Sequence, residues 1–490
     1  MNNILKELDI DYLLVNSTNK YLVEYPMLSE NARYTLTGFS GSTGDALITE
    51  DNIYLFVDGR YHIQADMEAK EGVTVIKLQI NESQDEEIRK LISKDKILGI
   101  VSKKVSQKRL EGFDGYKIKL LDTDPINDFS EAHNSVPDKA FEPKDINIEP
   151  TFVSNLEEVS YLTGLRDFSK DCSSKIWSKL FIDKNKRILF SDDKACDDFL
   201  SNFEEELVVD KGSISAHDYA LIKNPVYKPS KIAKMKSVKT SDELEAYRQA
   251  FERTDKAVMA IREFIESNEN LSEYDISTQL KKEFLKYGAK SLSFNSIVAI
   301  NQNSALAHYA KNAKNVFLKD GDLVLIDCGA YYESGLATDI TRVFVKGAPN
   351  DLQKKVYTTV LKSFLNCFNS DFVSGHEYDT LAHKLLDNAI KGFKFNHGLG
   401  HGIGINVHEA PPNLSQNQIA RTPIEDGMCF TIEPGLYNPE HFGIRLENSC
   451  YKLDGKIHSF VKMGYEDKLI NYEMLIPQEL EWLKNFNILK

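Results

Sequence analysis

Cysteine is scarce in this chain, and none of it is paired in sequence. Six cysteines are scattered over 490 residues, at Cys172, Cys196, Cys328, Cys367, Cys429 and Cys450, with no C-x-x-C. That excludes a disulfide-framework domain and a zinc ribbon, and points to a reducing compartment. Cys328 and Cys429 lie in apolar runs and read as small core residues. Basic charge is also short. Lys and Arg total 60 against 74 Asp and Glu, a formal net charge of -14. A protein that grips nucleic acid without regard to sequence needs the opposite balance, so that class is excluded. No run of about eighteen apolar residues occurs, which excludes a membrane-spanning helix. The N-terminal MNNILKELDIDYLLV has no basic stretch leading into an apolar one. No secretory leader is expected, and the reading is cytoplasmic.

What is present divides into three parts, in keeping with roughly 150 residues per domain. Residues 1–125 alternate apolar runs (DYLLVN, DALITE, NIYLFVD, VTVIKL, KILGIV) with helical stretches, the pattern of a small α/β domain. Residues 126–147 are polar, carry two prolines and follow a third at Pro125, which reads as a linker. Residues 148–225 form a second α/β segment, with a helix in VSNLEEVSYLTGL and a strand pair in SKLFID and KRILFSD. Residues 226–490 open with a capping box at Thr240–Glu243 and a helix whose apolar positions recur at helical spacing. Strand signals dominate afterwards, with helices around 351–369 and 376–390, so this third part is α+β. Gly38-Phe-Ser-Gly41-Ser-Thr-Gly44 has the glycine content of a phosphate loop but not its Lys-Ser/Thr ending. It is expected to be a tight turn between strands.

The chemistry concentrates in the third part. Asp327 ends the run LVLID and Asp339 opens DITRVFV. His401 lies in HGLGHGIGINVHE, Glu433 in CFTIEPG and Glu447 in GIRLEN. Taken singly, each has an ordinary reading as a turn or surface residue. Together they bring roughly four negative charges to apolar, strand-like surroundings, which a packed core does not tolerate without counter-charge. Two divalent cations would supply it. An antiparallel hairpin through AYYESGL would set Asp327 beside Asp339, and Glu433 and Glu447 are similarly placed around YNPEHF. Oxygen-rich ligation suits hard or borderline ions, manganese best, with cobalt and zinc as alternatives. A carboxylate beside a shared hydroxide can serve as general base. His308, His397 and His408 are further candidates. Glycines at 398, 400, 402 and 404 let the chain turn tightly, so that imidazoles converge on one pocket and face a substrate carbonyl or an oxyanion.

These residues resemble the pita-bread metallopeptidases, a family that includes methionine aminopeptidase, prolidase, aminopeptidase P and creatinase. The motifs are D-x-G…D-I-T-R, H-G-x-G-H…V-H-E, I-E-P-G and G-I-R-L-E-N. The resemblance implies that Asp339 and Glu447 bridge two metals, that Asp327 completes one shell, and that His401 and Glu433 complete the other. It makes Glu433 the general base, assigns oxyanion stabilisation to His397 or His308, and sets His308, His408 and Arg445 on the substrate side. TGFSGSTGDALITEDNIYLFVDGRYHIQAD and FVSNLEEVSYLTGLR are similar to the N-terminal domains of the longer aminopeptidase P enzymes. Two N-terminal creatinase-like α/β domains and a C-terminal pita-bread catalytic domain are therefore expected. So is hydrolysis of the N-terminal Xaa-Pro bond of peptides by a metal-bridging hydroxide, in a homodimer. The alternatives are a prolidase-type dipeptidase and a non-catalytic binding protein on the same scaffold. Asp327 and Asp339 stand twelve positions apart, where the family ordinarily has eleven. The extra residue is expected at the hairpin tip, near Glu333-Ser334-Gly335. A slip within the strand would turn a side chain away from the site.

Overall fold

The computed structural model describes residues 2–79, 82–129, 136–309 and 311–490. The chain forms two compact units. The first takes Met1–Val136, Pro143–Thr163 and Ile176–Lys231, and the second Pro137–Glu142, Gly164–Lys175 and Ile232–Lys490.

Two sheets make up the first unit. One is a mixed six-stranded sheet in the order Val73–Lys77, Ile53–Val57, Ala46–Ile48, Tyr12–Val15, Ile97–Val101, Lys117–Leu121. Its apolar runs are continuous because both faces are covered. Leu14, Leu47, Phe56, Leu98 and Ile100 enter one core, while Leu13, Val15, Ala46, Ile48 and Val101 enter another. The second sheet has five strands, ordered Arg187–Phe190, Lys179–Ile182, Thr151–Val153, Leu207–Val209, Pro225–Tyr227. The expected strand pair is present, with Leu180 opposite Leu189. The glycine segment is not a turn between two strands. Gly38 caps the short helix Ala32–Thr37 at φ +78°, and the chain then runs to Ala46–Ile48. A six-residue helix is too short to show helical periodicity, and its start is set by Asn31, whose side chain accepts from the Tyr34 amide.

In the second unit, Thr240 and Glu243 cap the helix Ser241–Ser267 reciprocally. Its buried stripe includes Tyr247, Phe251, Thr254, Val258 and Ile261. The sheet runs Ile297–Ile300, Leu323–Cys328, Ile340–Val345, Glu447–Leu453, Cys429–Ile432, with Lys456–Ser459 hairpinned onto Glu447–Leu453. Leu323, Leu325, Val343 and Val345 belong to one core with Val356, Val360, Leu361 and Phe364 of the helix Asp351–Phe368. Each such side chain contributes about 1.5–3 kcal/mol by burial. The pieces Pro137–Glu142 and Gly164–Lys175 also belong to this unit and pair with each other, Asp138–Lys139 against Leu165–Arg166. Of the segment read as a linker, residues 130–135 lie outside the described residues. Among the described residues no helix is long and apolar enough to cross a membrane.

Candidate metal centre

Three neighbouring strands put ligand-type side chains in one row. Asp327 pairs with Thr341, and Thr341 pairs with Glu447. The hairpin holds one register from Leu323↔Val345 through Cys328↔Ile340 to the Tyr331↔Ala337 bridge. It therefore closes without a bulge, and the turn falls at Tyr332–Gly335, where the Gly335 amide bonds the Tyr332 carbonyl at 2.8 Å. Asp339 is two residues from Thr341, so strand alternation returns it to the face that carries Asp327. Gly329 stands next in register across from Asp339. A Cβ there would come within 1.8 Å of the Thr338 carbonyl oxygen, so no side chain fits. On the far side, Ile432 pairs with Asn448, which brings Glu433 level with Glu447. His401 lies on the two-residue strand Gly400–His401, and its amide bonds the Thr431 hydroxyl at 3.1 Å.

The side chains converge. His401 Nδ1 lies 3.1 Å from the Gly402 carbonyl oxygen, which accepts its proton. That leaves the Nε2 lone pair facing Asp339 Oδ2 at 3.6 Å and Glu433 Oε1 at 3.4 Å. Asp339, His401 and Glu447 each present an atom within 4.8 Å of the others. The Thr341 hydroxyl donates to Glu447 Oε2 at 2.7 Å. Arg445 is 2% exposed. It donates through Nη2 to Asp327 Oδ2 at 2.5 Å, through Nη1 to the Tyr437 hydroxyl at 2.8 Å, and through Nε to the Thr341 hydroxyl at 3.2 Å.

One guanidinium does not balance four carboxylates. Burial, followed by the charges of Glu447 and Asp327, raises the Asp339 carboxyl well above its ordinary value. Burial, followed by the charges of Glu433 and Asp327, does the same to Glu447. Burial also pushes Glu433 up to about 7, against the pull of Arg445. Asp327 Oδ1, Asp339 Oδ1 and Glu447 Oε1 are buried with no hydrogen-bond partner in the protein. An unfilled buried acceptor costs about 1–3 kcal/mol, more when charged. Orphaned oxygens, surplus negative charge and an imidazole nitrogen turned toward two carboxylates together fit divalent cations. A second cluster, Asp197, His217 and Asp218, lies in the first unit. It reads as an ion-pair network, because Lys179 Nζ already holds Asp218 at 2.6 Å and His217 meets Asp197 at 3.3 Å.

Of the other candidate histidines, His408 and His397 connect to this row. The His408 ring meets the His401 ring edge-on at 4.4 Å between centroids. His397 Nδ1 lies 2.7 Å from the Gly398 carbonyl oxygen and Nε2 lies 2.8 Å from the Tyr437 hydroxyl. In neutral His397 the Nδ1–H donates to that carbonyl, so Nε2 accepts from Tyr437. His308 is half-buried just beyond the helical turn Asn301–Ala305. Ser304 in that turn exchanges hydrogen bonds of 2.8 and 2.9 Å with Gly443, which leads into Arg445. Arg445, expected on the substrate side, directs its three donor groups to protein partners. Tyr437, Thr341 and Glu409 were not picked out from the sequence. Strand alternation points to Thr341, two residues past Asp339, and Tyr437 lies on the strand that follows Glu433. The glycines of HGLGHGIG serve close approach, since none of Gly398, Gly400, Gly402 and Gly404 has a positive φ. A Cβ at Gly404 would lie 2.0 Å from the Glu409 carboxylate.

Comparisons with known proteins agree with this architecture. Residues 245–451 match the model of metallopeptidase family M24, and residues 1–128 that of the creatinase/prolidase N-terminal domain. The chain is 26% identical to Xaa-Pro aminopeptidase 1 of Dictyostelium discoideum, over 99% of this chain and 91% of that protein. It is 36% identical to Xaa-Pro dipeptidase of Pyrococcus horikoshii over 220 residues, 44% of this chain and 60% of that one. Among solved structures it resembles the X-prolyl aminopeptidase of Caenorhabditis elegans, described as a cytosolic enzyme with a di-nuclear active site. The TM-score is 0.86 at 20% identity, over 96% of this chain and 90% of that chain. That likeness establishes the shared fold, and the expected creatinase-like N-terminal and pita-bread C-terminal parts are borne out. The chain thus carries a metallopeptidase family M24 domain over residues 245–451 and a creatinase/prolidase N-terminal domain over residues 1–128.

Proposed function

We propose that this chain is an Xaa-Pro aminopeptidase that removes the N-terminal residue from peptides with proline second. The observation that carries the reading is the row of Asp327, Asp339, Glu433 and Glu447 around His401, with three buried oxygens left unpartnered. Relatives named Xaa-Pro aminopeptidase that align along 99% of the chain support the substrate class.

In this reading Asp327, Asp339, His401, Glu433 and Glu447 would hold two divalent cations. The hard donor set favours manganese, with cobalt and zinc as alternatives. Two divalent cations here would polarise the scissile carbonyl and make water a nucleophile at neutral pH. Glu433 takes the proton from the attacking water and hands it to the leaving nitrogen. An Xaa-Pro bond is a tertiary amide without an N–H, so its leaving nitrogen needs a proton supplied in this way. His397 and His308 are assigned to the face where the oxyanion develops, and His397 serves as a donor once it holds a second proton. His408 walls the prolyl pocket. Arg445 orients Asp327 and Tyr437 from below. The scattered cysteines and the cytosolic description of the nematode relative support a cytoplasmic enzyme. The resemblance supports a homodimer.

A prolidase-type dipeptidase is the second reading, favoured by the 36% identity with the Pyrococcus dipeptidase over 220 residues. A non-catalytic binding protein has no use for five intact ligand positions. Metal analysis of the purified protein together with hydrolysis of Arg-Pro-Pro and Ala-Pro decides among them. About two transition-metal ions per chain, best rescue of stripped protein by manganese, and release of Arg from Arg-Pro-Pro are expected. Cleavage of Ala-Pro alone would make it a dipeptidase. Full activity after exhaustive chelation would remove the metallopeptidase reading.

A further inference from the structure

The turn that carries His408 is built around buried polar groups that the proposed chemistry does not use. Glu409 is 4% exposed, and its Oε2 accepts from the amides of Ile405 at 2.8 Å and Asn406 at 3.2 Å. Its Oε1 faces the ammonium groups of Lys236 and Lys239, each at 3.2 Å. The Glu409 amide bonds the Gly402 carbonyl at 2.8 Å, which closes the loop behind His401. The other side is held from farther away in sequence. Asn406 Nδ2 donates to the His408 carbonyl at 3.1 Å, and Lys175 Nζ donates to Asn406 Oδ1 at 3.0 Å. Ser174 Oγ donates to the Gly335 carbonyl at 2.7 Å, on the tip of the Asp327–Asp339 hairpin, and reaches the Ile405 carbonyl at 3.4 Å. Lys175 and Asn406 are 6% and 7% exposed.

We propose that Lys175 is a positioning residue for substrate binding: through Asn406 it fixes the peptide of His408, and so the angle at which that imidazole faces the peptide. Glu409 anchors one side of the turn and the Lys175–Asn406 pair the other. Lys175 lies outside the matched peptidase domain, on the segment Gly164–Lys175 that the fold nonetheless assigns to the catalytic unit. The amide of Asn406 has two faces, one an acceptor and one a donor. A cation at its oxygen commits the NH2 group to His408. Without that cation the amide is free to rotate, and the carbonyl of His408 loses its fixed partner. The inference rests on His408 being a substrate-side residue.

The test measures kcat and KM for Arg-Pro-Pro in Lys175→Met, Lys175→Arg, Asn406→Asp, His408→Ala and the double variant Lys175→Met/His408→Ala, with metal content alongside. Methionine keeps the volume, removes the buried charge and leaves Asn406 Oδ1 without its donor, at a cost of about 1–3 kcal/mol in stability. Lys175→Met should raise KM about tenfold with kcat within about threefold and metal content unchanged, the signature of lost binding rather than lost chemistry. Lys175→Arg should stay within about threefold of the parent. Asn406→Asp keeps a partner for Lys175 but loses the donor to His408, and should raise KM in the same way even if Lys175→Met does not fold. On the His408→Ala background, Lys175→Met should change KM less than about twofold, as coupled positions require. A full tenfold effect on that background, or a fall in kcat with KM unchanged, overturns the clamp. An unchanged KM in His408→Ala removes the substrate-side reading of His408, and the proposal falls with it.

Discussion

Arg445 Nη2 lies 2.5 Å from Asp327 Oδ2, and the same guanidinium reaches Tyr437 and Thr341 through its other nitrogens. A planar fork with donors in fixed directions serves three acceptors at once, and an ammonium at the end of a flexible stem does not. The carboxylate that Arg445 holds is a proposed metal ligand, and the hydroxyl it holds is the partner of His397.

Arg445→Lys should therefore lower kcat/KM for Arg-Pro-Pro by roughly 30- to 1,000-fold, about 2–4 kcal/mol of transition-state stabilisation. The charge is retained, so net charge is not the cause. Steady-state kinetics and metal content measure it. A loss of less than about threefold would mean that the fork geometry does not matter.

Glu433→Gln should abolish most turnover. The carboxylate is both a proposed ligand and the proposed proton carrier, and glutamine keeps its shape while removing its basicity. The loss expected is on the order of a thousand-fold or more in kcat, with weaker binding of one metal ion. Activity within about tenfold of the parent, at matched metal content, would rule out the assignment.

The carboxylate candidates were legible because each sets a charge within or at the end of an apolar run. LVLID, CFTIEP and GIRLEN do so in strands that the structure buries, and buried charge demands a partner. The hairpin geometry was also legible. The uninterrupted register from Leu323↔Val345 to Tyr331↔Ala337 keeps Asp327 and Asp339 on one face despite their twelve-residue separation. The network around the ligands was not legible. Tyr437 is one of 22 tyrosines, and nothing local distinguishes it until strand pairing brings it to Arg445 and His397. The placement of Gly164–Lys175 was hidden for another reason. Its two-residue pairing with Asp138–Lys139 is too short to leave a periodic signal. The helix Ala32–Thr37 escaped on the same ground.

Glu409 should give the fold an acid-sensitive element. Burial alone would raise its carboxyl, but the charges of Lys236 and Lys239 outweigh burial and hold it at about 2. A depressed carboxylate contributes stability that is fully present above the unfolded value, near 4.5, and that is lost as pH falls toward 2. Glu409→Gln removes this element and leaves two buried ammonium groups without their carboxylate, at a cost of about 3–5 kcal/mol near neutrality. The stability gap between parent and variant should then narrow by about 1.4 kcal/mol per pH unit below pH 4.5. Urea unfolding at pH 5.5, 4.5 and 3.5 measures it. A gap independent of pH would show that the carboxylate is not held in its charged form by those lysines.

Preference for proline in the second position is the sharpest consequence of the proposed function. A proline ring is compact and has its φ fixed, so a pocket can select it by shape without a hydrogen bond to a missing N–H. The wall offered here is His408, held edge-on against His401 at 4.4 Å, with the loop behind it closed by Glu409. Such a wall is stiff, because its backbone is bonded on both sides. A flexible residue in place of proline would lose near-attack geometry there, although nothing would bar it from entering. The discrimination should therefore appear in kcat/KM more than in affinity alone. Arg-Pro-Pro should exceed both Arg-Ala-Ala and Met-Ala-Ser by at least about tenfold, roughly 1.4 kcal/mol in transition-state binding. Equal rates would refute the prolyl pocket while leaving the metallopeptidase assignment standing, because the ligand row does not depend on His408. His408→Ala would then separate the two possibilities further. If His408 forms the wall, the variant loses the proline peptide selectively and the alanine peptides change little. If His408 only supports the metal side, all three substrates fall together.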